Sequence, residues 1–343
     1  MKRLKSVAYV YNVRHFYPDP KDFRNQLQGD FDDPPTIKWQ IEHLRNLGFK
    51  VYPIEADEKA YFKLYKLRKK IDLVFNIAEG KHGQDRELQI PTILEILKIP
   101  YVGCSPLTQG LILDKAKAKE IFIANGIPTA PFQIFKSANE KLKKNLKFPL
   151  IVKPVAEGSS MGITNDSVVK NSVELKEKIA KLSASFGEYI MVEPFLSGRE
   201  FSVAMIGNPP KILPIVEPDH NLLPKNYLPF DSLEVKWFFE EQGHSDYLTC
   251  PAKIDGKMDK KLKEICFAVW KALNIRDWCR LDIRCDEKGN PYVLEVNSPP
   301  GIIPPEVSTT SYFPLTARKA GMDYEQMLSA IIEAAAKRYD IKI

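Results

Sequence analysis

The chain has 343 residues, long for one domain and comfortable for two or three, and its 44% hydrophobic and 27% charged content is that of a globular protein with a large core. Fifty basic residues against 44 acidic ones leave a mild net charge of +6 without a basic block, which an anionic small-molecule ligand explains as well as nucleic acid does; no nucleic-acid motif stands out, and nucleic acid is not expected as a partner. Five cysteines without CxxC spacing fit a reduced, cytoplasmic protein with no structural zinc, and no apolar run reaches membrane-spanning length.

Residues 1–105 alternate strand and helix. Strands are expected at Ser6–Tyr11, Lys50–Ile54, Asp72–Ile77 and Pro100–Gly103, with helices near Pro35–Leu47, Glu58–Lys70 and Glu87–Leu97. This alternation predicts a doubly wound parallel sheet with ligands beyond the carboxyl ends of its strands, which carry Asn12, Arg14, Glu79, Gly80, His82, Cys104 and Ser105. No GxGxxG follows the first strand, which argues against a dinucleotide fold. The proline-containing stretch His15–Pro34 is expected to form a lid-like loop.

Asp114 is placed to cap a helix running through Ile123, with Lys115 in its first turn. A lysine there opposes the helix dipole unless it reaches an anion. Residues 149–162, PLIVKPVAEGSSMG, give a strand ending near Lys153 and a turn with Glu157, Ser159 and Ser160, which can hold phosphates or be a plain hairpin turn. After a helix at Ser172–Ser183, strands at Glu188–Val192 and Phe201–Ile206 flank a Pro/Gly linker. Glu193, Phe195, Leu196 and Glu200 lie in or beside that linker, where a cleft between lobes would form. Residues 218–250, with Lys236 and Trp237, lack periodicity and are expected to be a lid, and a helix follows at Lys257–Leu273.

Residues 279–301, CRLDIRCDEKGNPYVLEVNSPPG, have the alternation of a β-hairpin. A four-residue loop at 287–290 would pair Asp286 with Pro291, Asp282 with Glu295 and Arg280 with Asn297. Those last four side chains would share one face, with Leu281, Ile283, Leu294 and Val296 on the other. Opposed carboxylates are destabilising unless a cation lies between them, and an oxygen-only donor set suits Mg²⁺; the alternative is a solvated hairpin face of ordinary polar residues. A proline-broken loop (Ile302–Pro314) then leads to a last helix with an Asp323–Gln326 capping box.

In order, VKPxxEGSSxG, ExFLSGxEFSV, CRLDIRxDxxGNPYVLEVNSPPG and FPLTARKAG resemble the ATP-grasp enzymes, and among them the D-alanine–D-alanine ligase family, from about Val74 onward. The resemblance implies an ATP-grasp fold with an N-terminal α/β domain (1–105), a central lobe (106–193) and a C-terminal lobe (194–343). It implies ATP and two Mg²⁺ ions, or Mn²⁺, as cofactors, amino-acid or small-peptide substrates and a homodimer. Asp282, Glu295 and Asn297 then match metal ligands. Lys115, Lys153 and Lys236 match phosphate-binding lysines, with Glu157, Ser159 and Ser160 in the glycine-rich loop, while Glu193, Phe195, Leu196 and Glu200 match adenine and ribose contacts. Ser159, Arg280 and Gly301 match residues around the reacting carboxylate, and Ser311 the serine that receives the acceptor.

Three departures fall where the family holds its donor amino acid. The glutamate expected after the first strand is not evident in YNVRHFYPDPKD, Glu79 stands in place of a histidine, and Trp237 in place of a tyrosine. The chain is therefore expected to be a carboxylate–amine ligase of altered specificity, with Glu79 as the donor-amine site. The alternatives are a true D-alanine–D-alanine ligase, a phosphotransferase, and a nucleotide-binding regulator without turnover.

Overall fold

The computed structural model describes residues 3–17, 19, 28–187, 189–239 and 246–343. Runs rich in β-branched and aromatic residues form the first sheet: β1 (Ser6–Tyr11), β2 (Lys50–Glu55) and β3 (Leu73–Asn76). β1 lies between the other two in parallel register, with Val7 beside Val51 and Leu73. It is buried along nearly its whole length, as a central parallel strand must be. Helices α1 (Pro34–Asn46), α2 (Ala60–Leu67) and α3 (Gln89–Leu97) accompany the sheet. Asn12 ties the carboxyl ends together: its Oδ1 accepts from the Glu79 and Gly80 N–H groups at 3.0 and 2.9 Å, and its Nδ2 donates to the Ala56 carbonyl.

The strand expected at 100–103 is reduced to one bridge, Tyr101 to Val74. Gly103, at φ +100°, turns the chain away, and Ser105 caps helix α4 (Pro106–Leu113), which the sequence did not signal. Asp114 caps α5 (Lys115–Ala124) as expected, accepting from the Ala116 and Lys117 N–H groups.

A second, antiparallel sheet has the order β4-β7-β5-β6, formed by β4 (Gln133–Phe135), β5 (Leu150–Pro154), β6 (Val168–Val169) and β7 (Ile190–Pro194). Helix α6 (Ser172–Phe186) covers it through Leu175, Ile179 and Leu182. A third sheet begins with β8 (Glu200–Ile206) and β9 (Lys211–Ile212). The segment expected to be a lid opens at β10 (Glu217–Pro218), which pairs with β11 (Leu248–Thr249), and contains a short π-helix at Val235–Phe239; residues 240–245 lie outside the described residues, as do 18 and 20–27 of the first expected lid. Helix α7 (Gly256–Ala272) then packs Leu262, Ile265 and Val269 beneath β12 (Trp278–Cys285) and β13 (Pro291–Asn297), which complete the third sheet in the order β13-β12-β8-β9. Gly198, in the linker between the two antiparallel sheets, lies against the Cys285 and Asp286 carbonyls, where a Cβ would collide with backbone.

The proline-broken loop is shorter than expected, because α8 (Tyr312–Lys319) starts before Pro314. Proline is tolerated there, in a first turn that needs no N–H partner. The last helix, α9 (Tyr324–Arg338), has the expected Asp323–Gln326 capping box. Its Met327, Leu328, Ile331 and Ile332 share one core with Val7 and Tyr9 of β1 and Leu44 of α1. Among the described residues no helix is long and apolar enough to cross a membrane, and all five cysteines are free.

Candidate active site

The two four-stranded antiparallel sheets face each other across a cavity. β5, β7 and the linker contribute Lys153, Glu193, Phe195 and Leu196, while the third sheet contributes Glu200, Asp282, Arg284, Leu294 and Glu295. Ser160, Phe230, Asp231 and Lys236 reach it from the connecting segments, and Tyr312 from the start of α8.

Asp282 pairs with Glu295 and Arg280 with Asn297, as counted from the sequence, although the hairpin closes differently. Cys285, not Asp286, pairs with Pro291, and the loop spans residues 286–290. A β-bulge between Asp282 and Ile283 absorbs the difference by setting Ile283 opposite Val293. Leu294, expected on the core face, is the extra residue and lines the cavity, and Val293 takes its place in the core. A bulge re-aims side chains in this way beside a binding site.

Asp282 is the hub of the hairpin face. It accepts from Arg280 Nε and Nη2 at 3.1 and 2.8 Å, from Asn297 Nδ2 at 3.0 Å and from Ser202 Oγ at 2.8 Å. The cation needed between two facing carboxylates is thus supplied in part by Arg280. Lys115 is buried, donates to the Glu157 carbonyl at 2.5 Å and stands 3.4 Å from Glu295. Burial would push the Glu295 carboxyl up, but Lys115, Lys236 and Lys153, with Arg280, bring it down to about 2. Burial opposes the charge on Lys236 most strongly and Arg280 adds to that, but Asp231, Asp282 and Glu295 together hold its pKa above the usual lysine value. Asp282, Glu295 and Asn297 therefore present hard oxygen donors among several cations, a set that fits Mg²⁺ completed by phosphate oxygens.

On the opposite sheet Glu193 is gripped by Lys119 and Lys153, each at 2.6 Å, and despite burial they bring its carboxyl down to about 2. Glu200 pairs with Arg284 at 2.7 Å. Arg284 also donates to the Pro229 carbonyl and lies 5.1 Å from the Phe195 ring centre. Asp231 accepts from His220 at 2.7 Å and from Tyr312 at 2.9 Å, while its carbonyl takes the Ser160 hydroxyl at 2.8 Å.

The remaining expected residues flank this cavity without lining it. Glu157 gives its carboxylate to Arg86 at 2.9 Å. Ser159 holds φ +44° and accepts from the Trp237 indole at 3.4 Å. Gly301 has open space where a Cβ would stand, and its carbonyl accepts from Ser311 Oγ at 3.4 Å. Glu79 is crowded by Glu87 and Asp30. Burial first, then those neighbours, push its carboxyl well above the usual range, and burial takes Glu87 to about 7.

Sequence reasoning missed Lys119, Ser202, Arg284, His220, Asp231 and Tyr312. Two were within reach of simple periodicity. Lys119 lies one helical turn beyond Lys115, and Arg284 shares the alternating face of Arg280 and Asp282.

Two antiparallel sheets closing on a lysine-lined, acid-floored cavity, behind a parallel α/β unit, define the ATP-grasp class of ligases. The family model described as D-ala D-ala ligase C-terminus matches residues 121–333. The D-alanine–D-alanine ligase of Aquifex aeolicus is 35% identical over 87% of this chain and 93% of its own. The uncharacterised protein y4sG of Sinorhizobium fredii is 35% identical over 78% of this chain and 75% of its own. The crystal structure of D-alanine–D-alanine ligase from Bacillus anthracis complexed with ATP superposes with a TM-score of 0.71, covering 99% of both chains at 23% identity. The chain belongs to the D-alanine–D-alanine ligase family, ATP-dependent enzymes that join a carboxylate to an amine.

Proposed function

We propose that this ligase activates one small carboxylate as an acyl phosphate and passes it to the amine of an amino acid or small peptide, releasing ADP and phosphate. The observation that carries the proposal is the pairing of Asp282 with Glu295 among Lys115, Lys153, Lys236 and Arg280. Phosphoryl transfer depends on positioning and charge neutralisation more than on covalent help, and this cluster supplies both.

In this assignment Phe195, Leu196 and Leu294 hold the adenine, with Glu193 fixed beside it. Glu200, oriented by Arg284, takes the ribose. Lys115, Lys153 and Lys236, with Ser159 and Ser160, hold the phosphates. Asp282, Glu295 and Asn297 would hold Mg²⁺, two ions with Mn²⁺ as a substitute, which supplies further charge neutralisation at the phosphates. The donor carboxylate attacks the γ-phosphorus and ADP leaves. The amine then attacks the acyl carbon, and phosphate departs from a tetrahedral intermediate whose oxyanion faces Arg280 and the Gly301 N–H. Ser311, beside Gly301, receives the acceptor's carboxylate. Glu79 takes the donor's ammonium, which would favour the ionised form that its neighbours now oppose. Trp237, next to Lys236, covers the donor side and keeps water from the acyl phosphate.

The division at residues 105 and 193, a homodimer and a cytoplasmic location complete the proposal. Its test is an ADP-release screen over amino acids, dipeptides and simple carboxylates, with mass detection of products. A new amide together with ADP is the expected result. Product from D-alanine alone would make the chain a true D-alanine–D-alanine ligase, the activity named for its relatives. Tight ATP binding without ADP release from any pair would make it a regulator.

A further inference from the structure

Beside the glycine-rich loop stands a cation that the chemistry above leaves unused. Arg14, just past the end of β1, has a side chain only 10% exposed. Its guanidinium lies 4.8 Å from the Tyr17 ring centre and 4.7 Å from that of Trp237. Asp33 stands 3.7 Å from Nη2, beyond hydrogen-bond length, and uses its carboxylate on the Thr36 N–H at 3.0 Å and the Tyr17 hydroxyl at 3.4 Å. Among the described residues the buried Nε–H of Arg14 has no acceptor at all. A buried guanidinium is stable when each of its donors meets an acceptor, and a planar fork held against aromatic rings is shaped for a carboxylate.

The surroundings connect this cation to the reacting centre. Trp237 packs on Arg14 and also donates to the Ser159 carbonyl. Ser159 and the cavity-lining Ser160 hold φ of +44° and +59°, the backbone strain that marks ligand-holding loops. Asp30 lies against Gly158 of the same loop, with Glu79, Glu87 and Arg86 about it. The loop therefore has an acidic flank already neutralised in part by Arg86, and an opposite flank where Arg14, close to Asp32 and Asp33, keeps an unbonded Nε–H.

We propose that Arg14 receives a second carboxylate on the donor substrate, which makes the donor a dicarboxylate such as an acidic amino acid. This deepens the ligase assignment and rests on it. The test compares aspartate with asparagine and glutamate with glutamine as donors, in both chiralities, with D- or L-alanine as the amine partner and ADP release as the readout. The acids should exceed their amides in kcat/KM by about 10- to 150-fold, the span expected for a hydrogen bond to a charged group. Arg14→Met should erase that gap by raising the acid's KM while leaving the KM for ATP unchanged, and Arg14→Lys should keep part of it. Amides that serve as well as acids would overturn the inference while leaving the ligase intact. So would an Arg14→Met enzyme equally impaired with both donor types, since Arg14 would then only clamp Trp237. Should Arg14→Met fail to fold, the acid–amide comparison in the unaltered enzyme and in Arg14→Lys decides. If no carboxylate releases ADP with any amine, the ligase assignment fails first and this inference with it.

Discussion

Lys119 and Lys153 hold opposite oxygens of the Glu193 carboxylate, each at 2.6 Å. Lys119 is completely buried, so the triad places two ammonium groups and one carboxylate away from water. Removing one partner from a buried ion pair typically costs about 3–5 kcal/mol. Lys119→Met should therefore lower unfolding stability by about 3 kcal/mol in urea, and Glu193, left to Lys153 alone, should draw that lysine from the phosphates and raise the KM for ATP. A loss below about 1 kcal/mol would mean that the triad contributes little.

Ser202 does not line the cavity and reaches the proposed metal face only through Asp282. Its hydroxyl donates to Oδ1 at 2.8 Å from the neighbouring strand. Loss of such an outer partner costs about 10- to 100-fold in metal affinity. Ser202→Ala should raise the Mg²⁺ concentration for half-maximal activity by about 10-fold, with turnover recovered at saturating Mg²⁺. Chelation should abolish turnover of the unaltered enzyme, and added Mg²⁺ should restore it. An unchanged Mg²⁺ titration for the variant would remove Ser202 from the metal face.

The crowded carboxyls near Arg86 give a pH signature. Burial raises the Glu87 carboxyl from 4.5 to about 7, so the folded state binds a proton that the unfolded chain releases earlier. Its contribution to stability is fully present below pH 4.5 and is lost as pH rises through 7. Glu87→Gln lacks that titration and should gain on the parent by about 1–3 kcal/mol between pH 4.5 and 8. Denaturant melts at both pH values check this. A stability difference that stays level with pH would mean that Glu87 is ionised throughout.

Gly301 separates fold from chemistry. Apart from its own chain neighbours, no atom lies within 4 Å of where its Cβ would stand, and its φ is not in the left-handed region. Gly301→Ala should leave the melting temperature within a degree or two, an unfolding change of about 0.5 kcal/mol or less. Alanine keeps the N–H but sets a methyl beside it, so turnover should fall by about 10²-fold if that methyl displaces the acyl group from the N–H. Full activity in a stable variant would place the reacting acyl group away from the Cβ side of Gly301.

Much of this site can be read from spacing. The capping residues Asp114 and Asp323 act locally, so their helices start where the sequence places them. The Asp282–Glu295 pairing also follows from counting, yet it is reached through a bulge that no alternation pattern reveals, because the pattern assumes one residue facing one residue. Leu294 is misassigned for that reason. The Asp231–His220–Tyr312 and Arg284–Glu200 contacts join positions 11 to 84 residues apart, and only the closing of two sheets brings them together. Local propensity contains no such information.

The core shared by β1, α1 and α9 has a consequence for how this chain is made. Val7, Tyr9 and Leu44 leave the ribosome long before Ile331 and Ile332, which complete their packing. At about 5–20 residues per second the early sheet keeps an apolar face open for some tens of seconds. Holding chaperones have that interval in which to bind, and a stalled or truncated product lacking α9 would present the same sticky surface indefinitely.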